Sequence, residues 1–213
     1  MDRNSPDYYV EPTVTDSVDA THALIAHIRS FPQPRLVEPV LTPRFAISCS
    51  DSLLSAIGDI ARADPSLPIQ THMSENRNEV RDTLKLFPAA TSYADVYDKH
   101  GLLGPRTILA HGIHLEEDEI VLVKERGAGV SHCPTSNFNL RSGVCPVGKL
   151  IDRGIKVIQF YPVRLQITEC ARTRLRSASA QMSRAGSRLP FSPRYSTLRL
   201  HRKFCRFRRP LCH

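Results

Sequence analysis

An α/β fold of parallel βαβ units is predicted for this 213-residue chain. Three observations predict it. Short apolar runs of strand length alternate with longer stretches of helical period. The alternation repeats at roughly 20 to 40 residues, the length of a strand plus its crossover helix. Polar residues suited to chemistry, Arg44, His72, His111 and His132, gather where the runs end. A doubly wound sheet and a (β/α)8 barrel both fit, and both place chemistry at the C-terminal ends of their strands.

The elements follow in order. "TVTDSVDATHALIAHIRSF" predicts a helix with Val18, Ile25 and Ile28 on one face and Thr15 or Asp16 as its cap. "RLVEPVL" (35 to 41) predicts a strand that Pro39 weakens. "SDSLLSAIGDIARA" (50 to 63) predicts a helix that turns Leu53, Ile57 and Ile60 inward. "LPIQTH" (67 to 72) is a short strand. "ENRNEVRDTLKLF" (75 to 87) is a helix with Val80, Leu84 and Phe87 at i, i+4 and i+7. "RTILAHG" (106 to 112) is the next strand. "LEEDEIVLVKERG" (115 to 127) is a helix with acids in its first turn and Gly127 as its stop. A strand at 128 to 134, a short helix at 147 to 154 and a strand at 155 to 160 complete the series.

Beyond about residue 160 the alternation gives way to an Arg- and Ser-rich stretch. Two regions are therefore expected: an ordered domain at 1–157 and a basic, irregular, disordered tail at 158–213. The charge is divided in the same way. The tail holds thirteen Arg or Lys residues against one acid, a net of +12, whereas residues 1–157 hold sixteen against twenty, a net of −4. The whole-chain value of +8 is thus a property of the tail, and nucleic acid is not expected as a partner.

Other classes are excluded by what the chain lacks. No apolar run approaches the roughly 20 residues of a membrane span. No GxGxxG or GxxxxGK[ST] loop is present for a nucleotide phosphate. The opening "MDRNSPDYYVEP" is polar and does not read as a secretory signal. None of the six cysteines forms a CxxC pair, so reduced thiols in the cytosol are expected.

"PIQTHMSENRNEV" carries the chemistry. His72 would sit at a strand mouth, with Glu75 at the start of the next helix. His111 would sit at the mouth of the adjacent strand, about 5 Å away in the pairing direction. Two neutral imidazoles can share one zinc ion, and a carboxylate beside them can carry a proton from activated water to a leaving group. The plainer alternative, that these are hydrogen-bonded loop residues, is open on the residues alone. His114 should point away from His111, and His22, His27 and His100 read as surface or helix-face residues.

"VLTPRFAISCSDSLLSAIGDIA", "IQTHMSENRNEV", "TILAHGIHL" and "GAGVSHCPTSNFNLRSG" together resemble successive segments of guanine deaminases, in the amidohydrolase superfamily. The resemblance covers residues 1–157. It implies a partial (β/α)8 TIM-type barrel of about five consecutive βα units. It also implies hydrolysis of guanine to xanthine and ammonia in purine catabolism, with Zn2+ as cofactor. Residue by residue, it assigns His72 and His111 to the metal and Glu75 to proton transfer. Arg44 and Phe45 are assigned to guanine binding together with His72 and Glu75. His132 falls in a family segment near the pocket and is given no ligand role. The family's HxH pair and final metal-binding aspartate have no counterpart here, so the zinc site is expected to be incomplete. A catalytically inactive truncated or alternatively spliced form is the alternative. A homodimer, or pairing with a full-length subunit, is the expected assembly.

Overall fold

The computed structural model describes residues 1–32, 37–161 and 164–166. Four strands lie parallel in sequence order: β1 (Ile69–Met73), β2 (Thr107–His111), β3 (Gly129–His132) and β4 (Lys156–Tyr161). A fifth, β5 (Arg164–Gln166), adds antiparallel to β4. β4 crosses the change of composition after residue 157, and residues 167–213 lie outside the described residues. The helices are α1 (Val14–Arg29), α2 (Asp51–Ala63), α3 (Arg77–Leu86), α4 (Tyr93–Lys99), α5 (Glu117–Glu125), α6 (Pro134–Asn139) and α7 (Val147–Asp152). Parallel strands in sequence order, joined by helical crossovers, are a run of consecutive barrel staves.

Burial alternates along the staves. Ile69, Thr71 and Met73 of β1 and Thr107 and Leu109 of β2 are buried, whereas Gln70 and Ile108 between them are exposed. The core joins that buried face to Leu53, Leu54, Ile57 and Ile60 of α2, Val96 and Tyr97 of α4, and Ile120 and Val123 of α5. On the other face, Ile108 and Ile158 line a hollow of about 300 Å3. Helix α2 approaches the end of α4 closely at Gly58. A Cβ there would lie 1.9 Å from the carbonyl oxygen of His100, so only glycine permits this packing.

Four expectations are corrected. The strand expected at 35–41 lies partly outside the described residues. Its remainder contributes one parallel bridge, Leu41 to Ile69, followed by a backbone bond from His72 N–H to the Arg44 carbonyl at 3.0 Å. Pro39 has no N–H to give a ladder, in keeping with this reduction. Helix α1 is capped by Thr13, whose hydroxyl accepts the Asp16 N–H; Thr15 and Asp16 already lie inside the helix. Helix α3 begins at Arg77 because Asn76 and Glu79 form a capping box, which leaves Glu75 in the preceding turn. Its inner face is also more polar than expected. Phe87 and part of Val80 pack on the core, but Glu79 and Thr83 are buried beside them and Leu84 is only half-buried.

Candidate active site

The site lies at the C-terminal ends of β1 and β2. His72 is the fourth residue of β1, and its Nδ1 donates to the Arg44 carbonyl at 2.7 Å. A carbonyl can only accept, so the ring proton sits on Nδ1 and the lone pair on Nε2. That bond, together with the ladder bond to the same carbonyl, draws the Arg44–Phe45 segment against β1. Phe45 is tilted toward the His72 ring with centroids 6.1 Å apart, and the Arg44 guanidinium lies over the Phe45 ring at 5.1 Å. Arg44 is exposed and Phe45 half-buried, so a planar ligand could meet a cation and an aromatic face here.

His111 reaches the site by a backbone reversal. In the ladder Met73 is opposite His111 and His72 is opposite Ala110. Strand alternation alone would therefore put the His111 ring with Met73, on the side away from His72. Instead His111 has φ 76°, and the Gly112 N–H returns to the Ala110 carbonyl at 3.2 Å, closing a γ-turn. The two imidazoles end stacked, with centroids 5.3 Å apart and planes 26° from parallel. A non-glycine residue held in this conformation is strained, and such strain concentrates at functional sites.

Asn137 of α6 completes the arrangement. Its Oδ1 lies 2.7 Å from His111 Nδ1 and fixes the proton there, as the Arg44 carbonyl does for His72. Its Nδ2 is buried without a hydrogen-bond partner. Glu75 lies nearby, with Oε1 3.6 Å from His111 Nδ1 and 3.4 Å from the Ser142 hydroxyl. Arg44, Phe45, His72, Glu75 and His111 are thus in one place.

His132, at the end of β3, has a buried Nδ1 with no partner. Burial, followed by the neighbouring His111 charge, pushes its pKa below the ordinary histidine value and favours the neutral ring. The chain from His111 to His114 is not extended, with positive φ at His111 and Gly112, and His114 Nε2 bonds the carbonyl of Ser142 at 2.9 Å. His100 is a structural bridge, with Nδ1 on the Val96 carbonyl and Nε2 near Asp51. Sequence reasoning missed Asn137, because α6 is six residues long and carries no apolar period. The one available signal was Pro134 at a helix start.

The donors fit a metal in part. Both Nε2 atoms have no protein partner among the described residues, and both rings are in the tautomer a cation requires. Among the same residues, no group of three His, Cys, Asp or Glu side chains is placed to hold a metal ion. His72 and His111 could therefore offer two nitrogens to a metal, a set that the described residues alone do not close.

The amidohydrolase family profile matches residues 5–161. A Schizosaccharomyces pombe protein named "Probable guanine deaminase" is 51% identical over 158 residues, 74% of this chain and 30% of the relative. Among solved structures, guanine deaminase from C. acetobutylicum with guanine bound in its active site superposes with a TM-score of 0.70. It is 40% identical, over 75% of this chain and 37% of that one. Atrazine chlorohydrolase from Arthrobacter aurescens, complexed with zinc, superposes with a TM-score of 0.65 at 25% identity, over 73% of this chain and 33% of that one. This chain spans about a third of the length of the curated relatives it matches. With that match over the whole run of staves, the chain belongs to the amidohydrolase family.

Proposed function

We propose that this chain carries the purine-contacting and proton-transferring part of a guanine deaminase site. The observation that carries the reading is the stacked His72–His111 pair with Glu75 beside it. The identity to guanine deaminases and the superposition on a guanine-bound one support the choice of substrate. Zinc, held in part by the Nε2 atoms of His72 and His111, would lower the pKa of the attacking water to about 7.

The chain's own groups supply the rest. Arg44 offers its guanidinium to the purine's polar edge, and Phe45 offers its ring for stacking. Glu75 takes a proton from the water as its oxygen bonds to C2 of guanine. It then delivers that proton to the departing amino group, the pair that the attack had moved from the C2=N3 bond to N3 returning as the C2–N bond breaks; ammonia leaves, and the remaining hydroxyl proton shifts to N3 to give xanthine. His111, its Nδ1 held by Asn137, presents its Nε2 to this exchange.

A second reading is a non-catalytic form that pairs with a full-length subunit or with a second copy. The absence of a third metal ligand among the described residues favours it. Zinc content by atomic absorption, measured with ammonia release from guanine, separates the two. Bound zinc with ammonia supports the first reading; a metal-free chain that releases no ammonia supports the second. The proposed domain is 1–157, with 158–213 as a basic appendage. The free thiols Cys49, Cys133 and Cys145 accord with a cytosolic setting.

A further inference from the structure

We infer that Glu79, acting with Tyr93 and Tyr97, is a positioning group for the site, a buried bracket that fixes Glu75, His72 and the Phe45 turn relative to one another. The inference rests on the functional reading above.

Glu79 lies on α3, is 6% exposed, and has no cation within ion-pair distance among the described residues. Its charge is met by three donors. Oε2 accepts the backbone N–H groups of Glu75 at 2.8 Å and Asn76 at 3.2 Å. Oε1 accepts the Tyr93 hydroxyl at 2.7 Å. A capping box requires only the Asn76 bond. The bond to Glu75 is additional, and it holds the backbone of the proton carrier itself.

Tyr93 continues the bracket. Its ring stacks on Tyr97 with centroids 5.5 Å apart. The Tyr97 hydroxyl donates to the His72 carbonyl at 2.8 Å and accepts the Ala46 N–H at 3.0 Å and the Thr71 hydroxyl at 2.9 Å. Ala46 directly follows Phe45. The fixed points are thus Glu75 and His72, two of the candidate site positions, and Ala46, the residue next to a third, Phe45. Both phenols are fully buried, and burial pushes their pKa values up, so both remain donors at neutral pH.

Glu119 provides an internal control. It holds the same third position in the α5 capping box and is 2% exposed. It accepts the Glu116 and Ala94 N–H groups, lies against the backbone of Tyr93 rather than its hydroxyl, and makes no hydrogen bond to Glu75, His72 or the Phe45 turn. If Glu79 served only its helix, the two glutamates would be equivalent.

The test compares Glu79→Gln and Glu119→Gln in the full chain, reading zinc affinity by calorimetry. A glutamine has one acceptor oxygen in place of two charged ones, so Glu79→Gln either sets its NH2 against the backbone pair or keeps that pair on a weaker neutral oxygen and forces the Tyr93 hydroxyl to turn from donor to acceptor. Zinc affinity should fall by about 10- to 100-fold in Glu79→Gln and stay near the parent value in Glu119→Gln, whatever each does to thermal stability. Should Glu79→Gln not fold, Tyr97→Phe should weaken zinc in the same sense. Parent-like affinity in Glu79→Gln or, failing that, in Tyr97→Phe overturns the inference. A parent chain that takes up no zinc overturns the functional reading instead. In that case the histidine-ring and Glu75 NMR signals decide: they must shift in Glu79→Gln and not in Glu119→Gln, and unmoved signals overturn the bracket.

Discussion

The β1–α3 and β2–α5 units are built alike and used differently. Each has a five-residue strand, a non-glycine residue of left-handed backbone at the strand's end, and a helix closed by a capping box with a buried glutamate. In the first unit the left-handed residue is Ser74, two places after His72. His72 therefore keeps the face its strand gives it, and the short turn to α3 carries Glu75. In the second unit the left-handed residue is His111 itself, and its ring is carried over to the His72 side. The longer connection that follows carries His114 to the Ser142 carbonyl. The same local device thus places the proposed proton carrier in one unit and a reoriented imidazole in the other. The connection length and the place of one positive φ decide which.

The comparison predicts unequal sensitivity to substitution. Glu75→Gln should lower guanine deamination by about 10²- to 10⁴-fold, the usual worth of a general acid–base group. Zinc uptake should be unchanged, since Glu75 is assigned no metal bond. Glu116→Gln, in the corresponding turn of the second unit, should leave the rate alone. Equal rates for the two variants in an ammonia-release assay would erase the distinction between the turns.

Asn137→Ala comes next in size. It frees His111 Nδ1 and lets the proton move between the two ring nitrogens, so zinc affinity should fall by about 10- to 100-fold. His72 is locked by a backbone carbonyl, which no side-chain change removes. Histidine NMR of the variant should show a mixed tautomer at His111 and the Nδ1–H form at His72. A single unaltered tautomer at both would break the contrast.

The sequence made the alternation of staves legible because β1, β2 and β3 are compact apolar runs bounded by turn residues. It made α2 and α5 legible because their apolar positions recur at helical spacing. Helix α4 was not foreseen, since nearly every residue from Tyr93 to Tyr97 is buried and no polar face contrasts with an apolar one. Its cap, Ser92 accepting the Asp95 N–H, was the available sign. The pairing of His72 with His111 was readable from two strand mouths, but the means was not. A one-residue reversal has no periodicity, and register with alternation taken alone would have separated the rings. The polar inner face of α3 was hidden for a related reason. An apolar-period argument assigns Glu79 to solvent, whereas its donors come from a tyrosine fourteen residues on and from the turn behind it.

The smallest predicted effect concerns the α5 capping glutamate, Glu119, and its dependence on pH. Burial lifts the Glu119 pKa above the ordinary carboxylate value, and the N–H groups of Glu116 and Ala94 oppose that lift only in part. The folded chain therefore holds this proton more tightly than the unfolded one. With more protons bound in the folded state, stability falls as pH rises. The contribution is present in full below the unfolded value, near pH 4.3, and is lost as pH climbs through the raised folded value. Melting temperatures of the parent chain and Glu119→Gln, followed upward from about pH 4, should shift in the variant's favour. A flat difference would mean that the α5 carboxylate is as well solvated as a surface one. It would also remove the ground for treating that helix start as a sealed, purely structural counterpart of the one beside the site.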